Sequence, residues 1–88
     1  DELVVTDDCS TDRTVEILTE FARSAPFPVK VVVNPSQLGF RGNFLKAANL
    51  CTSQVILFCD QDDVWRPSKV AVIARAFDED PELWLAYH

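Results

Sequence analysis

Val55-Ile56-Leu57-Phe58-Cys59-Asp60-Gln61-Asp62-Asp63-Val64-Trp65 joins an unbroken apolar run to three carboxylates within four residues. A run of this kind, β-branched and aromatic with polar residues on either side, is the pattern of a strand covered on both faces, as in parallel sheets with helices above and below. Its acids then stand at the strand's carboxyl end, where open α/β sheets bind their ligands. This one stretch therefore implies both a fold class and the place of a site.

The segments around it agree. Glu2-Leu3-Val4-Val5-Thr6 is a short β-rich run, and Asp7-Asp8-Cys9-Ser10-Thr11-Asp12 is the polar turn after it, with Ser10, Thr11 and Asp12 all competent helix N-caps. A helix is expected over about residues 12–24, its apolar stripe made by Ile17, Leu18, Phe21, Ala22 and Ala25, and stopped by Pro26 and Pro28. Val29-Lys30-Val31-Val32-Val33 reads as the second strand, ended by Asn34-Pro35-Ser36. After the loop through Gly39, residues Phe40, Phe44, Ala47, Ala48 and Cys51 fall on one helical face that leads into the run at Val55. Pro67 suits the first turn of a further helix, with Val70, Ile73, Ala74 and Phe77 as its stripe and Pro81 beyond its end. Trp84-Leu85-Ala86-Tyr87-His88 reads as another strand. Alternation of this kind predicts an α/β fold with an open, mostly parallel sheet and right-handed crossovers.

Eighty-eight residues make one small domain at most, able to bury about 60–65% of the unfolded chain's surface. The net charge of -6 argues against nucleic acid as a partner, because that interaction is driven by Lys and Arg on phosphates. Cys9, Cys51 and Cys59 show no paired metal spacing and fit a reduced, cytoplasmic setting. Neither a signal-peptide pattern nor an apolar run near the roughly 18 residues of a membrane span is present. Since the chain opens directly on one strand and closes within another, residues 1–88 are expected to be a partial domain, truncated at both ends.

Two acidic clusters follow strands, Asp7 with Asp8 and Asp60 with Asp62 and Asp63, and a parallel sheet brings both to one edge. Strand-to-helix turns are rich in Asp for purely structural reasons, since Asp caps helices and forms Asx turns, and that account serves Asp12 and one of the Asp7/Asp8 pair. It serves Asp60, Asp62 and Asp63 less well, because three crowded carboxylates repel one another unless a cation lies between them. Hard oxygen ligands at this spacing, with no His or Cys partner close by, suit Mg²⁺ or Mn²⁺. The chemistry that goes with such an ion is centred on a diphosphate, whose growing charge it takes up.

Leu3-Val4-Val5-Thr6-Asp7-Asp8-Cys9-Ser10-Thr11-Asp12-Arg13-Thr14 resembles the nucleotide-binding segment of the family 2 inverting glycosyltransferases of GT-A fold, hydrophobic-D-D-G-S-x-D-x-T. Residues 55–67 resemble that family's metal-binding segment, a hydrophobic strand followed by D-x-D-D, an aromatic and a proline, and Asn34 with Gly39-Phe40-Arg41-Gly42-Asn43 is similar to its N-x-G-x-x-x-x-R-N region. Cys9 stands where the family usually has Gly. The resemblance implies a nucleotide-diphosphate sugar donor, a saccharide or lipid-linked acceptor, a divalent cation (Mn²⁺ or Mg²⁺), a role in cell-surface polysaccharide synthesis, and work in the cytoplasm or at the cytoplasmic membrane face.

Carried over by position, Asp8, or else Asp7, hydrogen-bonds the base or ribose; Asp60 faces the ribose; Asp62 holds the metal; and Asp63 is a further ligand or orients its neighbour. Arg41 falls where the family often has a basic residue near the nucleotide, with a solvated arginine at a helix start as the plain alternative. Asn43 either ties its loop to the backbone or touches the donor. The resemblance also implies a catalytic base beyond residue 88 and an earlier strand before Asp1, so that the chain by itself is expected to be inactive.

Trp65, Cys59, Lys46 and Lys69 have simpler readings: a packing aromatic, a small buried hydrophobe, and two lysines on solvated helix faces. Two rival functions use the same acids. A phosphoacceptor receiver domain, a signalling module, would bind Mg²⁺ with Asp7, Asp8 and Asp60, but leaves Asp62, Asp63 and the Ser10-Thr11-Asp12 turn without a use. A haloacid dehalogenase-type phosphohydrolase would use Asp60 and Asp62, but has no use for Asp7-Asp8 and expects a Gly-Thr type pair where Asp63-Val64 stands.

Overall fold

A computed structural model describes residues 1–86. The elements run β1 (Leu3–Asp7), α1 (Thr14–Ser24), β2 (Val29–Val33), α2 (Gly39–Leu50) and α3 (Lys69–Glu79). They belong to two compact units, Asp1–Gln54 and Val55–His88, with Tyr87 and His88 outside the described residues.

In the first unit β1 and β2 pair in parallel, Leu3 opposite Val29 through Asp7 opposite Val33, with α1 as the crossover. The ladder is extended at both ends, by Leu3 N–H to the Pro28 carbonyl at 2.9 Å and by Asn34 N–H to the Asp7 carbonyl at 2.8 Å. α1 packs on β2 and α2 on β1. This is the α/β class with an open parallel sheet that the alternation predicts, consistent with half of a GT-A domain.

The helix starts follow local chemistry. Asp12 Oδ1 accepts the Thr14 N–H at 3.0 Å and also the Thr14 hydroxyl, so Asp12 caps α1 from just before it. Val15, Leu18, Ala22 and Ala25 are its half-buried side, whereas Ile17 and Phe21 are exposed. The Phe21 ring instead meets Phe27, centroids 6.4 Å apart. On α2, Phe44, Ala47, Ala48 and Cys51 are half-buried as their spacing predicts, but Phe40 is 77% exposed and packs edge-on against Phe44.

The deepest side chains of the first unit are polar. Asp7 is 5% exposed and Asn34 2%, and both lie where the strands end. Polar groups reach that depth only when their hydrogen bonds are made, and this requirement organises the carboxyl end of the sheet.

The second unit corrects the expectation built on the apolar run. Residues 55–59 are not a strand: Ile56, Phe58 and Cys59 are exposed and Val55 and Leu57 only half-buried. Hydrophobicity of a strand buried on both faces is a response to its neighbours, and without a hydrogen-bonded ladder partner the same residues have no reason to stay extended and regular. Trp84, Leu85 and Ala86 are likewise outside any strand, and the rest of that expectation, Tyr87 and His88, lies outside the described residues. α3 begins two residues after Pro67, with Ser68 at its start, and its Ile73 is the only buried apolar side chain among the described residues, at 7% exposed.

Candidate functional site

β1 ends in Asp7 and β2 is followed directly by Asn34, and with Asp8 these residues build a junction. Asp7 closes on its own turn: Oδ2 accepts the Ser10 N–H at 2.9 Å and Oδ1 the Ser10 hydroxyl. Asp8 reaches further. Its Oδ1 accepts the Leu38 N–H at 2.7 Å and the Asn34 side-chain amide at 2.9 Å, and its Oδ2 accepts the Gly39 N–H at 2.9 Å.

Leu38 and Gly39 open α2, where the first N–H groups have no partner inside the helix, so Asp8 serves as that helix's cap from a distant turn. These bonds, that from Leu38 foremost, then that from Asn34, with Lys46 adding its charge, hold the Asp8 carboxyl below the usual carboxylate range.

Asn34 is the centre of the junction. Its Nδ2 donates to Asp8 Oδ1 and to Asn43 Oδ1 at 2.8 Å, and its Oδ1 accepts from Lys46 Nζ at 2.7 Å. Asn43 in turn ties α2 to β1, its Nδ2 donating to the Thr6 carbonyl at 3.0 Å while the Thr6 hydroxyl donates to the Asn43 carbonyl at 3.1 Å. Of the two roles open to Asn43, the structure places it in the first, fastening α2 to the backbone.

Cys9 adopts φ 69, the left-handed conformation that favours glycine, and its thiol donates to the Asn34 carbonyl at 3.2 Å. Arg41 is exposed in the first turn of α2 and makes no ion pair among the described residues.

In the second unit a tight turn, closed by the Asp63 N–H on the Asp60 carbonyl at 3.1 Å, gathers the Asp60, Asp62 and Asp63 carboxylates within 4.8 Å of one another, all exposed. An all-oxygen, triply anionic set that is open to solvent fits Mg²⁺ or Mn²⁺, which keep several waters and substrate oxygens among their ligands. Only Asp7, of all the acids, ends a strand. Asp60 does not, because the run before it is not one.

The neighbouring Cys59 is exposed, not a core residue, and its partly desolvated thiol beside Asp63 and Asp60 is pushed up, against a nucleophilic role. The same unit holds an open cavity lined by Val64, Trp65, Arg66 and Lys69, in which Lys69 Nζ stands 4.7 Å from the Trp65 ring centroid. The Trp65 indole N–H is shielded from solvent with no partner among the described residues.

Two expectations on lysines change here. Lys46 is half-buried on Asn34 and Lys69 lies over Trp65, so neither simply faces solvent. Lys46 lies outside the apolar stripe of α2, which is made by Phe44, Ala47, Ala48 and Cys51. The signal that finds it is a polar side, Asn43 and Lys46 three residues apart on α2, with the polar Asn34 straight after the second strand as their partner.

Among the described residues no helix is long and apolar enough to cross a membrane. The model of the family described as "Glycosyl transferase family 2" matches residues 1–86. The chain is 32% identical over 87 residues to an uncharacterized glycosyltransferase of Nostoc sp., covering 99% of this chain and 27% of that protein. It is 29% identical over 87 residues to an uncharacterized glycosyltransferase of Haemophilus influenzae, covering 99% and 28%. It is also 35% identical over 72 residues to the dTDP-rhamnosyl transferase RfbG of Shigella flexneri, covering 77% and 25%. The chain thus spans about a quarter of the length of the curated relatives it matches. No solved structure gives a significant match. With paired acids at the end of β1, an Asp-x-Asp-Asp turn and a family match over residues 1–86, this chain belongs to glycosyltransferase family 2.

Proposed function

We propose that this chain carries the nucleotide-sugar half of an inverting, metal-dependent glycosyltransferase that moves a sugar from a nucleotide-diphosphate donor to an acceptor hydroxyl, in cell-surface polysaccharide assembly at the cytoplasmic membrane face. The observation that carries it is the turn at 60–63, which gathers three exposed carboxylates within 4.8 Å of one another. Asp62 and Asp63 would hold the divalent ion, with Asp60 turned to the ribose. When bound, such an ion supplies Lewis acidity to the departing diphosphate.

The chain's own residues divide the remaining work. Asp8 keeps acceptor capacity on Oδ2 for an imide N–H or a ribose hydroxyl and is only half-buried, a better candidate than Asp7, which is 5% exposed and turned onto Ser10 of its own turn. Arg41, exposed in the first turn of α2 and without an ion pair among the described residues, is available to a nucleotide phosphate. The acceptor's proton goes to a base that this reading assigns to no residue of the chain. Family membership sets aside the receiver and dehalogenase-type phosphohydrolase readings, and the name of the Shigella relative makes a dTDP-sugar the first donor to try.

Calorimetric titration of UDP, dTDP and GDP, with and without Mn²⁺, tests the proposal on the wild type and on Asp62→Ala. One nucleotide binding only with Mn²⁺, and losing at least about tenfold in affinity on Asp62→Ala, is the expected result. Binding that ignores both metal and Asp62 would remove that residue from the site.

A further inference from the structure

We infer that Asn34 is the positioning residue of the nucleotide site, acting through Asp8. The inference rests on the donor-site reading above and adds to it a residue that touches no ligand.

Asn34 is the most buried polar side chain described, 2% exposed, and every hydrogen-bonding atom it has is used. Nδ2 donates twice, to Asp8 Oδ1 at 2.9 Å and Asn43 Oδ1 at 2.8 Å; Oδ1 accepts from Lys46 Nζ at 2.7 Å; its N–H donates to the Asp7 carbonyl and its carbonyl accepts from the Cys9 thiol. The amide has one orientation that works. Two of its side-chain partners are acceptors and the third is an ammonium, so a flipped amide would set oxygen against oxygen and nitrogen against nitrogen. Asp in its place has the shape without the two donors.

The consequence falls on Asp8. Its Oδ1 takes two hydrogen bonds, from Asn34 and the Leu38 N–H, and is filled, while Oδ2 takes one, from the Gly39 N–H. A carboxylate oxygen offers about two acceptor directions. Asn34 thus fixes the rotation of the carboxylate and leaves its open acceptor on Oδ2. The start of α2, which would otherwise attract a phosphate, is occupied by the protein's own carboxylate. Asp8 is thereby reserved for the donor groups of a nucleoside, an imide N–H or hydroxyls.

A double-mutant cycle tests this, using whichever of UDP, dTDP or GDP the wild type binds with Mn²⁺, with folding followed by circular dichroism. Asn34→Asp is expected to weaken nucleotide binding about tenfold in the wild type, and by less than about twofold when Asp8 is already Asn. An equal loss in both backgrounds shows a merely structural role and overturns the inference, as does an Asp8→Asn variant that binds like the wild type. Should Asn34→Asp fail to fold, Lys46→Met, which frees Asn34 Oδ1 and leaves the Nδ2 donors in place, decides by the same pattern. A wild type that binds and an additive cycle overturn this inference alone. A folded wild type that binds none of the three nucleotides overturns the donor-site reading and this inference with it.

Discussion

The Cys9 thiol donates to the Asn34 carbonyl at 3.2 Å, and Cys9 holds a left-handed backbone conformation, φ 69, to do so. The turn after β1 therefore runs through a geometry made for glycine with a side chain in place, and the hydrogen bond offsets part of the cost. A non-glycine residue in that region costs on the order of 1 kcal/mol, and a β-branched one more. Cys9→Gly is expected to be as stable as the wild type or up to about 1 kcal/mol more so, and Cys9→Val to be less stable by about 1–2 kcal/mol. Urea denaturation of the three proteins checks the order, and a Val variant as stable as the wild type would contradict it.

Acid should act on this junction before it acts on the strands. The folded-state pKa of Asp8 is depressed, as are those of Asp12, through the Thr14 hydroxyl and N–H, and of Glu2, through the Thr52 N–H and hydroxyl. A depressed carboxylate contributes stability that is present above its unfolded pKa and lost as pH falls through its folded one. Stability is thus expected to be level from neutrality down to about pH 5 and to fall below about pH 4. Asp8→Asn should lower Tm at neutral pH and flatten that acid limb. Thermal melts between about pH 7 and about pH 2.5 read both effects, and an unchanged limb would place the sensitivity elsewhere.

Glu2 gives a second local fastening. Its Oε1 accepts the Thr52 N–H at 2.6 Å and the Ser53 N–H at 3.1 Å, with both hydroxyls at 2.9 and 3.3 Å, joining the start of β1 to the segment after α2. Its charge also adds to the desolvation that pushes up the Cys51 thiol. Glu2→Ala should speed amide hydrogen exchange at Thr52 and Ser53 by about tenfold or more while the amides of the β1–β2 ladder keep their protection. Equal acceleration in the ladder would mean that Glu2 supports the whole sheet.

Local pattern carries much of this structure on its face. β1, β2 and three helices stand within a few residues of where alternation, stripes and prolines put them, because each is decided by its own residues and its adjacent turns. The Val55 run misleads for the opposite reason, since a strand buried on both faces is defined by partners that its own sequence does not contain. The acids show the same division. Asp60, Asp62 and Asp63 are brought together by a turn four residues long and are legible from spacing. The commitment of Asp8 to Leu38, Gly39 and Asn34 depends on contacts 26 to 31 residues away, and no spacing announces it. Lys46 escapes for a related reason, in that a lysine on a helix is ordinarily solvated unless a buried side-chain acceptor such as Asn34 Oδ1 awaits it.

Ile73 and Val72 stand side by side on α3 and offer a clean contrast, the first 7% exposed and the second 42%. Removing a buried isoleucine side chain to alanine costs about 2–4 kcal/mol, from lost transfer energy and the cavity left behind. At an exposed helical position the same kind of truncation trades a valine for a better helix former and is worth roughly 0.5 kcal/mol in the stabilising direction. Ile73→Ala is therefore expected to lower the stability of the second unit by about 2 kcal/mol, the low end because so little else there is buried, and Val72→Ala to leave it unchanged or slightly higher. Denaturant unfolding followed by tryptophan fluorescence, both Trp65 and Trp84 lying in this unit, separates the two. Similar losses from both would show that α3 is held by its exposed side as much as by Ile73.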